Sequence, residues 1–230
     1  MATVNLQVGP ISGTAAALSD GSLPNARADK QGALVVTELH GRFFEQAYRG
    51  SEFSIGSAAL TALSANTITL GATTAPIIGV YNPFNSGVNL EILQAGLQAQ
   101  YNTLTTPVGP GTFVWAVSTS NVNITTGNAP LNRGTLKTSG SKAVGFPGGV
   151  ALTGLSNNLT IIEPADFGNL TGLTEGTLGG TTELVSIGGV ENFDGSLIVP
   201  PGGVLALLNT TSTTTVSAVA RLLWSEVPII

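Results

Sequence analysis

From position 53 onward, apolar and polar residues alternate in short runs separated by clusters of Gly, Pro, Asn and Ser. A period of two sends successive side chains to opposite faces of a sheet, so these runs read as β-strands. The predicted strands are Phe53–Ser57, Thr67–Leu70, Ile77–Tyr81, Val88–Tyr101, Thr112–Ser118, Thr135–Val144, Leu159–Glu163, Glu183–Ile187, Ser196–Val199, Val204–Leu208 and Val216–Trp224. Alternation is clearest in two of them. Phe113, Trp115 and Val117 share one face of theirs, opposite Thr112, Val114, Ala116 and Ser118. Val216, Ala218, Ala220, Leu222 and Trp224 share a face opposite Ser217, Arg221 and Ser225. Strands in this number without intervening helices predict an all-β domain, an antiparallel β-sandwich or jelly roll.

Two proline turns punctuate the pattern, Asn82-Pro83 with Ser86-Gly87, and Val199-Pro-Pro-Gly-Gly203. Proline lacks a ladder donor and glycine supplies positive φ, so pairing ends sharply at both. Residues 165–182 carry five glycines and read as a long loop; 57–66 suit either a short helix or a loop.

The first 50 residues differ. Breakers at Gly9-Pro10, Gly13, Asp20-Gly21 and Leu23-Pro24 predict an extended N-terminal arm. Ala33–Leu39 reads as a strand, followed after Gly41 by a second strand or short helix. Eight charged residues crowd into 27–52, whereas 53–162 holds only Glu91, Arg133, Lys137 and Lys142. This shift sets the expected boundary: an arm and docking segment over 1–50, and a sandwich domain over 51–230. Arg42, Phe43, Phe44, Tyr48 and Arg49 combine aromatics with guanidinium groups, the usual anchor chemistry of protein interfaces, and form the candidate partner surface. The alternative is that these aromatics plug the base of the domain.

Charge sharpens this picture. Only 9% of the 230 residues are charged, against about 25% in typical domains. The surface must therefore be built from Thr, Ser, Asn, Gln and Gly, and weak colloidal repulsion favours association. A net charge of −5 argues against nucleic acid as a partner. No apolar run approaches the roughly 18 residues of a membrane span, and residues 1–20 lack the basic start of a secretory signal. The sequons at Asn123, Asn158, Asn169 and Asn209 are expected by chance in a chain so rich in Asn and Thr.

Candidate chemistry is thin. There is no cysteine and one histidine, His40, which excludes His/Cys metal spacing and leaves no oriented general base. Neither a Gly-x-Ser-x-Gly elbow nor a phosphate-binding glycine loop occurs. Two carboxylate pairs, Glu163/Asp166 and Glu191/Asp194, have the residue types for acid–base or calcium chemistry, but read more simply as strand-end and turn residues. Neither a catalytic site nor a cofactor is expected.

Three stretches resemble a known family: "ADKQGALVVTELHGRFFEQAYRG" (28–50), "IIGVYNPFNSGVNLEIL" (77–93) and "GSLIVPPGGVLALLNT" with "LLWSEVP" (195–210, 222–228). Together they are similar to auxiliary head proteins of tailed bacteriophages, the decoration or cement type with a jelly-roll domain. The resemblance implies a non-enzymatic homotrimer seated on the major capsid protein. It implies a place in the virion, assembled in the host cytoplasm, and an arm that reaches neighbouring subunits. It carries over no catalytic or ligand residue. The alternative reading is a tail- or fibre-associated, carbohydrate-binding adhesion module, with Trp115 and Trp224 as stacking residues.

Overall fold

A computed structural model describes residues 43–57, 61–62, 75–101, 112–121, 124, 127–138, 140–148, 150–167, 186–210 and 216–229. The expected arm, the strands at 33–39 and 67–70, His40, Arg42 and most of the 165–182 loop lie outside them. The chain divides into two units, Met1–Phe44 and Glu45–Ile230. The division falls ahead of the composition shift at 50 because 46–51 are bound into the second unit. Ser51 N–H and Oγ–H both donate to Gln46 O, Asn132 Nδ2 donates to Gly50 O, and Glu226 N–H donates to Ser51 O.

A single helical turn, α1 (Phe44–Tyr48), precedes the strands β1 (Glu52–Gly56), β2 (Thr61–Ala62), β3 (Ile78–Tyr81), β4 (Val88–Tyr101) and β5 (Phe113–Thr119). Then come β6 (Leu131–Asn132), β7 (Val144–Pro147), β8 (Thr160–Pro164), β9 (Ser186–Val199), β10 (Gly203–Asn209) and β11 (Val216–Pro228). One sheet has the order β6-β1-β11-β4-β9, with β2 also on β11; the other has β7-β3-β10-β5-β8. Every pairing is antiparallel. The pairs β1·β11, β3·β10, β4·β9 and β5·β8 are nested in sequence. That nesting is one long hairpin rolled over two sheets: a jelly roll. Among the described residues, no helix is long and apolar enough to cross a membrane.

The first core fills the space between the sheets. Phe53, Leu90, Ile92, Leu97, Leu222 and Trp224 from one sheet meet Ile78, Val80, Phe113, Trp115, Leu205 and Leu207 from the other. The face Val216/Ala218/Ala220/Leu222/Trp224 expected from alternation lies wholly in this core. In β4 the inward residues change parity, from Leu90 and Ile92 to Ala95, Leu97 and Ala99. A bulge does this: Ile92 pairs with Trp224 and Gln94 with Leu223, leaving Leu93 over.

A second core lies on the outer face of the other sheet. Val114, Ala116, Val204, Ala206 and Leu208 pack there with Ile124, Leu152 and Leu159 of the β5–β8 connection. That connection is pinned along β5: Ser118 Oγ–H donates to Asn157 O at 2.6 Å, Ser120 Oγ–H to Gly154 O at 3.0 Å, and Ser156 N–H to Thr119 O at 3.0 Å. All seven residues of β10 are therefore buried.

Several expectations need correction. Thr135–Val144 is not a strand; only β7 begins at Val144. Asn132 Oδ1 accepts from Gly134 N–H, Thr135 N–H and Thr135 Oγ–H, which curls the chain into a turn. Leu136 (φ 56°) and Gly140 (φ 91°) then keep it out of extended geometry. The strands expected around 183–187 and 196–199 form one strand, β9. Ile92 pairs with Leu197 and Gln94 with Asn192, so residues 193–196 form a tight excursion opposite Leu93. Asp194 (φ 54°) and Gly195 (φ 81°) make its turn.

The covering segment behaves as core only if it is packed as core. Leu152→Ala is expected to cost about 2–5 kcal/mol, as a buried strand leucine does, measured by urea denaturation. A loss below about 1 kcal/mol would show that the cover contributes little.

Candidate functional site

The residues that carried candidate chemistry are distributed by the jelly roll into three places. First is the interior. Both tryptophans are fully buried. Trp115 stacks edge-on to Phe193 at 5.4 Å and tilts against Phe167; its Nε1–H donates to Glu191 Oε2 at 2.7 Å. Neither indole is accessible for sugar stacking.

Second is the edge formed by β8 and β9. The two carboxylate pairs do not stay pairs: Glu191 comes together with Glu163 and Asp166, whose charges both bear on it, while Asp194 sits in the β9 turn. Burial pushes the Glu191 carboxyl above the ordinary value of 4.5. The Trp115 indole and the Asp166 backbone N–H pull the other way, and the two neighbouring carboxylates push it further up. Among the described residues, no group of three or more His, Asp or Glu is arranged to hold a metal ion. Beside this edge is an open cleft of about 410 Å³, lined by Val117, Thr119, Asn157, Asn158, Thr160, Ile198 and Pro200 among others. The lining is amide, hydroxyl and aliphatic, so the cleft offers hydrogen bonds and apolar contact but no general acid or base.

Third is the corner where 45–52 of the second unit meets the β6–β7 loop; Phe43 and Phe44 belong to the first unit. Phe43 is half-buried; Phe44, Tyr48 and Arg49 are exposed, with Tyr48 at 78%. Arg42 lies outside the described residues. The fold adds groups that sequence proximity does not suggest: Arg133, Leu136, Lys137 and Lys142, all exposed. Two buried side chains position their loop. Asn132 holds the start, as above. Glu226 holds the end, accepting from Ser141 Oγ–H at 2.6 Å and from Lys142 N–H at 2.9 Å. Glu52, also buried, sits 3.9 Å from Arg133 Nε. Burial raises its carboxyl above 4.5, and the Arg133 charge partly offsets this. The sequence signal for this corner is the pair of loop cations Arg133 and Lys137 around Leu136, in a region otherwise poor in charge.

The two proline turns also meet. Asn82 Nδ2–H₂ donates to Val88 O at 2.8 Å and to Val199 O at 2.9 Å. Asn82 N–H donates to Gly203 O, and Gly202 N–H returns to Asn82 O. Gly202 needs its φ of 80°, and a Cβ there would stand 3.0 Å from Ser120 O. The turns form one structural lock rather than a binding motif.

Comparison of the chain with protein-family models, with curated proteins and with solved structures gives no significant match.

Glu191 gives a pH-dependent test of the interior. A carboxyl with a raised folded-state pKa holds its proton better folded than unfolded. Stability therefore falls as pH rises from 4.5 through the raised value. Glu191→Gln keeps an oxygen for the indole and removes the charge. It is expected to match wild type near pH ~4 and to exceed it at neutral pH. Glu191→Ala orphans a buried N–H and should cost about 1–3 kcal/mol. Thermal unfolding across pH reads both; a Gln variant less stable than wild type at pH 7 would contradict this.

Proposed function

We propose that this chain is a non-enzymatic structural protein of a bacteriophage virion, decorating or cementing the capsid by bridging subunits of the major capsid protein. The observation that carries this reading is the corner at the start of the domain. Tyr48 and Leu136 stand exposed there among Arg49, Arg133, Lys137 and Lys142. Exposed Tyr with Arg is anchor chemistry for a protein partner. The jelly roll, the sparse charge and the three family-like stretches support the same reading. Many weak contacts repeated over a lattice would supply the affinity.

The alternative, a tail- or fibre-associated glycan-binding module, loses Trp115 and Trp224 as stacking residues because both are in the core. The neutral cleft beside β8 remains its one foothold.

Deleting residues 1–42, ahead of α1, is expected to leave a cooperatively folding β domain. That domain should no longer attach to virus particles that the full chain decorates, as read by electron microscopy and by sedimentation with the particles. Full decoration by the truncated chain would remove the arm from the mechanism.

A further inference from the structure

The two lateral edges of the sandwich carry opposite charge. At one edge are β8 and β9, each hydrogen-bonded on one side only among the described residues. β8 is exposed along its whole length. This edge presents Glu163, Asp166 and Asp194, with Glu191 behind them, and exposed Ile161, Ile162, Val190 and Ile198. None of its described residues is Lys or Arg. At the other edge are β6 and β7, joined by the loop that carries Arg133, Lys137 and Lys142, with Arg49 beside it. Leu136 is 69% exposed at the centre of that loop. Of the local carboxylates of described side chains, Glu52 offsets Arg133 at 3.9 Å, so the basic character of this edge rests on Lys137 and Lys142, both exposed. Glu52 and Glu226 are buried, and Glu226 is occupied by backbone N–H groups.

We propose that these edges are the two halves of one interface: the basic edge of one copy docks on the acidic edge of the next. The argument for a second copy is complementarity within a single chain. Each edge has exposed apolar side chains beside exposed charge, carboxylates at one and the Lys137 and Lys142 ammonium groups at the other. The two halves lie on different edges, so the contact is head-to-tail. Repeated with one rotation, it closes into a ring, and a threefold ring satisfies the trimer of the reading above. Side chains make the joint, not sheet continuation. The outer side of β7 is already blunted by the bridge between Asn128 and Gly145, which exchange N–H···O bonds at 2.7 and 2.9 Å. The inference rests on the reading of this chain as one that works among copies of itself, and is independent of where in a virion it would sit.

The test uses the full chain and its mass in solution, by light scattering and sedimentation. Wild type is expected to associate at low salt. Association should weaken at least ~10-fold near 1 M salt, where charges are screened beyond about 3 Å. Lys137→Glu/Lys142→Glu and Glu163→Lys/Asp166→Lys change only exposed residues, and circular dichroism confirms that each variant folds. Each alone should fall to monomer. Mixed, the two variants should associate again as pairs, because one then carries two acidic edges and the other two basic ones, although two kinds cannot alternate around a ring of three. Three results would overturn the proposal: a wild type that is monomeric at every salt concentration, assembly indifferent to both variants, or variants that stay monomeric when mixed. Assembly as described in a chain that decorates no particle would leave the interface standing and remove the virion reading instead.

Discussion

β10 is hydrogen-bonded to a strand on each side and apolar on both faces, and the rest of the domain is arranged around that fact. Its pairings with β3 and β5 build one sheet. Leu205 and Leu207 point between the sheets; Val204, Ala206 and Leu208 point away from them. A two-layer sandwich would leave the second set in water. Full burial of each large aliphatic side chain is worth roughly 1.5–3 kcal/mol, so an uncovered outer face would forfeit several kcal/mol. The β5–β8 connection supplies the third layer, which is why it carries Ile124, Leu152 and Leu159 although it forms no long strand. A fully buried strand also needs clean ends. The Pro-Pro-Gly turn and its lock through Asn82 provide one, where the backbone turns without leaving an amide unpaired.

The same economy governs the polar groups. Glu226 and Asn132 are buried, yet each satisfies two or more N–H or O–H donors of the loop they hold. Trp115 gives its one donor to Glu191. Glu191 and the two tryptophans, which would attract a catalytic or lectin-like reading in isolation, are thus committed to the interior. Among the described residues, what remains on the outside is mostly hydroxyl and amide, with exposed aliphatics and aromatics and a small number of charged groups.

Strands were legible in the sequence wherever one face was apolar and the other polar, as in β11, or where turn residues bounded a run, as in β3 and β10. β4 even carries the mark of its bulge, since the apolar positions slip from even to odd across Leu93. Legibility failed where a side chain competed for the backbone. Apolar residues at 136, 143 and 144 suggested a strand that Asn132 prevents by capturing two amides. It also failed where contacts are long-range. Nothing local joins Trp115 to Glu191, or Arg133 to Glu52; the nested strand pairing brings the first two together and the β1·β6 pairing the second two. The candidate corner was therefore half visible: Tyr48 and Arg49 are adjacent in sequence, whereas Lys137 and Lys142 reach it through the fold.

Sparse charge makes the placement of each ion consequential. In an ordinary domain dozens of mixed charges average out over the surface. Here eight cations serve the whole chain. Arg27, Lys30 and Arg42 lie ahead of the domain, Arg49, Arg133, Lys137 and Lys142 lie at one edge, and Arg221 lies on an outer sheet face bound to Gln94. Along the sequence, 57–77, 102–112, 165–185 and 210–215 hold no cation and only Asp166, Glu175 and Glu183. Opposite charges on two edges do not steer partners far at physiological salt, where screening acts over about 8 Å. They act once apolar side chains have brought the edges close, and they reject the juxtaposition of like edges. In the proposed contact, a surface poor in charge would let copies approach, and a small charge asymmetry would decide which edge meets which.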